Sequence, residues 1–306
     1  MQQRLQVLLV LLLLTVGKGF SVAPTDRNVL LRRNSPIVQS FDSLATLSVG
    51  NGEFAMSVDP TGLQTFPERY TKDNALITQS KWADRHLGII GLEFPTTTTI
   101  EDFANIEQML VLNSGIIKTS YTLQGKPVSI YTTCHPKRNL VAAHMKSELP
   151  IPIKICFPYT KEDASSLLWD ANRKHRTKLI SKRNNSIVFE RTIDAVTYYV
   201  VFQWQGDVSV VKKTDNYYVM TPSKGHFAFS CEFLPRFTTT FDDIILPTFK
   251  EVAEESATEW SSYWSGDCIQ ELADSTHLFT PEEERQLLLD CYNSTISGNK
   301  KLELSK

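Results

Sequence analysis

The sequence predicts a mainly β protein: a large antiparallel β-sandwich followed by a short α-helical tail. Three observations carry this. From Leu47 to Pro235, short runs rich in Val, Ile, Tyr, Phe and Thr recur, separated by Gly, Pro, Asn or Asp. No long amphipathic helix lies between successive runs, which argues against parallel βαβ units. Beyond Phe237 the apolar spacing becomes helical. A chain of 306 residues with 42% hydrophobic content can bury one large core or two smaller ones. The formal charge of −2 and the lack of a Lys/Arg block argue against nucleic acid or an anionic membrane surface as a partner.

The elements follow in order. Arg4 precedes an apolar run from Val7 to Val16, and small residues follow it. This is the pattern of a secretory signal over residues 1–19, cleaved near Gly19. The run is too short for a bilayer, which needs about 20 residues, so no membrane association is expected after cleavage and the chain is expected to be secreted or lumenal. Residues 20–46 read as an extended polar arm. Residues 47–236 read as the sandwich, with a hairpin over Ile116–Thr133 and further strands around Val141–Ser147, Ile153–Tyr159, Asn185–Thr192, Val196–Gln205, Val208–Thr214, Asn216–Pro222 and His226–Pro235. Residues 237–306 read as a helical segment. Phe249, Val252, Ala253, Ser256, Trp260 and Trp264 lie at helical spacing, and Gly266 follows as a stop. A second helix starts with Thr280 as N-cap, Pro281 at N1 and three glutamates, Glu282 to Glu284, at the positive end of the helix dipole. Its apolar run Leu287–Leu289 needs cover, from the sandwich or from a second molecule.

Several stretches invite a chemical reading. Gly50-Asn51-Gly52 precedes an alternating run and lacks the P-loop and dinucleotide patterns, so it reads as a type I′ hairpin turn. Glu53 and Asp59 would lie about 20 Å apart along an extended strand, too far for paired glycosidic carboxylates. Asp59 before Pro60-Thr61-Gly62 reads as a turn acid. Cys134 and His135 are neighbours on a strand and point to opposite faces, against a nucleophile–base pair. The six histidines show no metal-ligand spacing, so no metal and no cofactor is expected. Five cysteines at irregular spacing allow one or two disulfides with a thiol left over, or buried free thiols throughout. Asn184 and Asn293 head glycosylation sequons. Gln79, Trp82 and His86 are the candidate ligand-binding residues. An indole stacks on sugar C–H faces and polar side chains bond hydroxyls; the competing role for Trp82 is filling the core or an interface. Trp260 and Trp264 read as docking residues of the first helix.

Asn34–Tyr70, Thr78-Gln79-Ser80, Thr132–Ser147, Phe189–Trp204 and Ala253–Tyr292, taken in order, resemble the N-terminal domain of glycoside-hydrolase-family-65-like proteins, relatives of the six-hairpin glycosidases. The resemblance covers nearly all of the chain after the signal. It implies a galactose-mutarotase-like super-sandwich joined by a linker helix to a catalytic (α/α)6 barrel, and the catalytic carboxylates of such proteins lie in the barrel. The chain matches the sandwich, the linker and the first barrel helix, so the resemblance gives no catalytic residue here. One departure stands out. Relatives follow Thr-Gln-Ser with a WGWH-like stretch, whereas this chain has Lys81-Trp82-Ala83-Asp84-Arg85-His86 and keeps only the first aromatic. The expectation is a non-catalytic carbohydrate-related sandwich domain, with carbohydrate and an α-helical barrel as partners. The alternatives are a fragment of an active glycosidase or glycoside phosphorylase acting on α-linked sugars, and a secreted interaction scaffold without sugar affinity.

Overall fold

The computed structural model describes residues 26–70, 76–83, 85–160, 167–168, 175–237, 244–266 and 279–298. The expected signal at 1–19, Cys268 and His277 lie outside them. The elements in chain order are α1 (Arg27–Arg33), β1 (Ile37–Val38), β2 (Leu47–Gly50), β3 (Phe54–Val58), β4 (Thr78–Ser80), β5 (Ile89–Leu92), β6 (Phe103–Val111), β7 (Ile116–Leu123), β8 (Lys126–Cys134), β9 (Leu140–Ser147) and β10 (Ile153–Cys156). They continue with β11 (Tyr159–Thr160), β12 (Leu167–Leu168), β13 (His175–Lys182), β14 (Ser186–Ile193), β15 (Val196–Trp204), β16 (Val208–Thr214), β17 (Tyr217–Pro222), β18 (His226–Leu234), α2 (Phe249–Trp264) and α3 (Pro281–Ile296). Among the described residues no helix is long and apolar enough to cross a membrane.

A nine-stranded sheet, in the order β1-β6-β7-β8-β9-β18-β15-β14-β13, forms one wall of the predicted sandwich. Opposite it lie a four-stranded sheet, β16-β17-β10-β5, and a three-stranded sheet, β2-β3-β4. All these pairings are antiparallel. Side chains alternate across a strand, so one face of β15 sends Tyr198, Val200, Phe202 and Trp204 into the main core. The opposite face sends Val201 into a second cluster with Leu140, Ala142, Val188, Leu246 and Val252. The segment 244–249 and the start of α2 cover that face.

Both long helices start as their caps direct. Thr248 and Glu251 form a capping box on α2, as Thr280 and Glu283 do on α3. The stripe Val252, Ser256, Trp260, Trp264 of α2 is buried, as its spacing predicts. Trp260 stacks on Tyr292 of α3 with ring centroids 4.5 Å apart, and Trp264 donates from Nε1 to the Leu112 carbonyl at 2.7 Å. The tip of the β2–β3 hairpin receives the end of α3. The Gly52 amide donates to the Ile296 carbonyl at 3.2 Å, and a Cβ on Gly50 would lie 3.0 Å from the Ile296 Cβ.

Two expectations are corrected. The arm over 20–46 is not extended throughout: Asp26 caps α1, which buries Leu30 and Leu31 against the main core. Its anchor is remote in sequence. Arg33 donates from Nε and Nη2 to the Glu284 carboxylate at 2.8 and 2.5 Å, and Asn34 donates to the same group. The Gly50–Gly52 stretch does turn a hairpin, but not as type I′. Gly52 has φ +87° whereas Asn51 does not have positive φ. The Asn51 side chain instead accepts from the Glu53 and Phe54 amides and donates to the His135 and Arg138 carbonyls, which fixes its backbone. Leu287–Leu289 finds its cover on the sandwich, one of the two expected alternatives. Leu288 is fully buried and its neighbours are half-buried, because α3 packs on the sandwich.

Cys134, Cys156 and Cys231 are buried thiols. Cys134 and Cys231 both sit opposite Val141, on the two strands that flank β9. Two strand spacings put their Cα atoms about 10 Å apart, beyond disulfide reach.

Glu284 is buried and holds α1 to α3, so Glu284→Gln should lower stability by about 1–3 kcal/mol in urea unfolding. An unchanged midpoint would show that α1 does not depend on this carboxylate.

Candidate functional site

The segment Thr78–Gly88, which carries the three sequence-predicted ligand residues, lies over the β14–β15 end of the nine-stranded sheet. Gln79 sits on β4 opposite Ala55 and is half-buried. After β4, Ser80 bridges to Ala83 in a tight turn that presents Trp82. The half-buried Trp82 ring rests on Tyr198 of β15 at 5.7 Å, and its indole N–H is buried without an acceptor among the described residues. His86 is in a different state. Its Nδ1 accepts from the Gly88 amide at 3.1 Å and its Nε2 faces the Leu76 carbonyl at 2.8 Å, so Nε2 carries the proton. Burial pushes its pKa down to about 4. With both ring nitrogens held by backbone, His86 shapes the loop and offers no atom to a ligand.

Beneath this loop lies a polar centre that the sequence reading missed. Arg191 of β14 has no solvent exposure. Its Nη2 donates to the Phe157 and Pro158 carbonyls at 3.2 Å each and to His175 Nδ1 at 2.5 Å. Its Nη1 donates to Thr177 Oγ1 at 3.3 Å, and the guanidinium stands over the Phe157 ring at 5.6 Å. Tyr198, beside it, donates to the Leu87 carbonyl at 2.5 Å and so ties the Trp82 loop to the same centre. A guanidinium only donates, so His175 Nδ1 accepts and its proton sits on Nε2. Burial and the Arg191 charge push the His175 pKa down to about 4. A signal was present in the sequence: Arg191 falls on the apolar phase of its strand, aligned with Ile187, Phe189 and Ile193.

The remaining candidate chemistry is structural. Asp59 is fully buried, and its carboxylate accepts from Thr61 N, Thr61 Oγ1, Thr65 N and Phe66 N at 2.6–2.8 Å, as a turn acid does. Burial nevertheless pushes its pKa up to about 6. Glu53, at the other end of β3, is exposed and pairs with Lys81 at 3.1 Å. Cys134 points into the core, whereas His135 turns toward Glu255 of α2 at 3.2 Å, so the two do not form a pair. Among the described residues no three His, Cys, Asp or Glu side chains are grouped to hold a metal. Asn184 is exposed at the β13–β14 turn, and Asn293 is exposed near the end of α3.

No family model matches the sequence, and no curated protein matches it. Among solved structures the chain is similar to a human-microbiome protein provisionally named kojibiose phosphorylase, with a TM-score of 0.40 and 10% identity over 86% of this chain and 35% of that one. It is similar to a bacterial glucoamylase complexed with acarbose, with a TM-score of 0.43 and 11% identity over 83% of this chain and 41% of the other. It is also similar to a family GH92 α-mannosidase from Bacteroides thetaiotaomicron, with a TM-score of 0.36 and 9% identity over 86% and 38%. The chain thus spans 35–41% of the length of these solved chains.

The histidine states set a pH dependence. Below its ordinary value of 6.5, His86 takes up a proton in the unfolded chain but not in the folded one until about pH 4. The His86 share of stability, about 3 kcal/mol, should therefore be lost as pH drops from 6.5 to 4, with His175 acting in the same direction and Asp59, whose carboxyl takes up its proton earlier in the folded chain, opposing both. His86→Gln should flatten this limb in urea unfolding followed across pH; a limb as steep as the wild type's would show that His86 protonates freely in the folded protein.

Proposed function

We propose that this chain is the β-sandwich part of a secreted glycoside-hydrolase-family-65-like protein, and that it serves as a carbohydrate-related platform for helical structure without performing catalysis itself. The observation that carries this reading is how the helices are seated. The Trp264–Trp260–Tyr292 stack joins α2 to α3, the Arg33–Glu284 pair joins α3 to α1, and Trp264 and Tyr292 fix the stack to the sandwich through the Leu112 and Ser48 carbonyls. A domain built to hold helices in register would be joined in this way. The ordered sequence motifs support the family assignment.

The buried carboxylates among the described residues support a structural role. Asp59 holds a turn. Arg138 donates to Glu232 at 2.7 and 2.6 Å, and Glu284 holds Arg33. Each is already saturated by donors, whereas glycoside hydrolysis needs one carboxyl group free to give a proton and another to stabilise or attack. Carbohydrate contact then falls to Trp82 and Gln79, whose side chains are not wholly enclosed.

Two measurements test this. The purified chain should release no sugar from α-linked disaccharides and should bind an oligosaccharide on a glycan array, with Trp82→Ala weakening binding about tenfold. Hydrolysis or phosphorolysis by the purified chain would establish the enzyme reading instead, and absence of any sugar binding would favour the scaffold. Expression in eukaryotic cells should deliver the chain to the medium with glycans on Asn184 and Asn293, removable by an N-glycosidase. Retention in the cytosol without glycans would overturn secretion.

A further inference from the structure

We infer that the cavity between the nine-stranded sheet and the segment 245–249 is the seat of the glycan carried by Asn184, and that it holds one sugar ring of that glycan. The cavity measures about 210 Å³ and is floored by β15 and β18. Its origin lies in the strands. Phe227 and Phe229 of β18 face the main core, so Ala228 and Ser230 face the other way. Two small side chains leave a gap under the covering segment. That segment is held over the gap at two points. The Leu246 amide donates to Gln203 Oε1 at 2.6 Å, and Ser230 donates to the Pro247 carbonyl at 2.5 Å.

The lining selects a neutral ring that bears hydroxyls. None of the described residues that line the cavity is charged. Asn185, Gln203 and Gln205 bring amides, which both donate and accept, as hydroxyl and acetamido groups require. Ile245, Pro247 and Phe249 form an apolar wall for ring C–H groups, and Ile245 is 81% exposed at its rim. The volume equals the share of about seven water molecules, which suits one pyranose ring and excludes a longer chain. The tether is adjacent. Asn184 and Asn185 are the two loop residues of the β13–β14 hairpin, closed by the Arg183 amide on the Ser186 carbonyl at 2.8 Å. The Asn185 carbonyl accepts from the Trp204 amide at 2.9 Å, which fixes Asn185 at the cavity wall. Exposed Asn184 is one residue, about 3.8 Å, away. Neutral hydrogen bonds exchanged with water give little net affinity, so a free sugar would leave such a cavity largely empty. A glycan attached at the rim meets it at an effective concentration of about millimolar, which fills a weak seat. The inference rests on the secretory reading, because that pathway attaches the glycan.

The test uses the whole chain secreted from eukaryotic cells, with Asn293 as the internal reference. An N-glycosidase acts on native and on urea-denatured protein, and release at each site is followed by mass spectrometry. The native-to-denatured rate ratio should be about tenfold lower at Asn184 than at Asn293, because a seated glycan is cleaved only when it leaves the cavity. Ala228→Leu fills the cavity and keeps the sequon, so it should bring the Asn184 ratio up to that of Asn293. Ile245→Ser removes part of the apolar wall at an exposed position and should raise the ratio about threefold. If Ala228→Leu does not fold, Ile245→Ser carries the comparison. Equal ratios at the two sites of the wild type, or an Asn184 ratio that neither variant moves, would overturn the seat. A secreted chain with a glycan on Asn293 alone also overturns it and leaves the secretory reading standing. A chain kept in the cytosol without glycans removes both. Free N-acetylglucosamine that raises the Tm of Asn184→Gln at micromolar concentration would give the cavity to an external sugar and overturn the tethered assignment.

Discussion

The strands β9, β18, β15 and β14 of the nine-stranded sheet are buried on both faces, and the rest of the structure answers to that constraint. Strands β9, β14, β15 and β18 have buried residues in consecutive positions, such as Leu140 to Ala143 and Val200 to Phe202. An antiparallel sheet that meets water on one face would alternate polar and apolar residues. This sheet must be covered twice. The four-stranded and three-stranded sheets cover one face. The segment 244–249 and α2 cover the other, which explains why the chain turns helical directly after its last long strand. The helices complete the sheet and are not an appendage to it.

Closing the ends of the sandwich falls to interactions between distant parts of the chain. α1 is short and would be marginal alone. It persists because Leu30 and Leu31 enter the main core and Arg33 meets Glu284, 251 residues away. Glu284 has two roles on α3: an acid in the first turn, where the helix dipole favours it, and the buried acceptor for Arg33 and Asn34. The Gly50–Gly52 tip has a comparable double use. It turns the hairpin and also accepts the close approach of Ile296, because glycine has no side chain to collide.

The polar groups of the interior fall into two kinds. Asp59, Glu232 and Glu284 are saturated by donors, which gives fixed geometry and little chemistry. Among the described residues Arg191, His175, Trp82, Trp204, Tyr70 and Tyr121 retain buried donors with nothing to receive them. The Trp82 loop lies between the two regimes. His86 and Tyr198 bind it to the backbone, while Trp82 remains half-buried with its N–H unsatisfied.

The sequence by itself determined most of the long strands, the antiparallel class, the start of α3 and the turn role of Asp59. Each depends on residues within a few positions of one another: period-two alternation, a Thr–Glu capping box, an acid before Pro-Thr-Gly. It also held a trace of the buried centre, since Arg191 interrupts the apolar phase of Ile187, Phe189 and Ile193. What that arginine meets was decided only by the tertiary structure, because Phe157, His175 and Thr177 reach it from other segments. The same holds for the backbone of Asn51, set by carbonyls more than 80 residues away, for the neutral state of His86, set by the Leu76 carbonyl and burial, and for the docking of α1. Local patterns specify local hydrogen bonds. Which groups lose their water, and which partners they then find, depends on how distant segments pack.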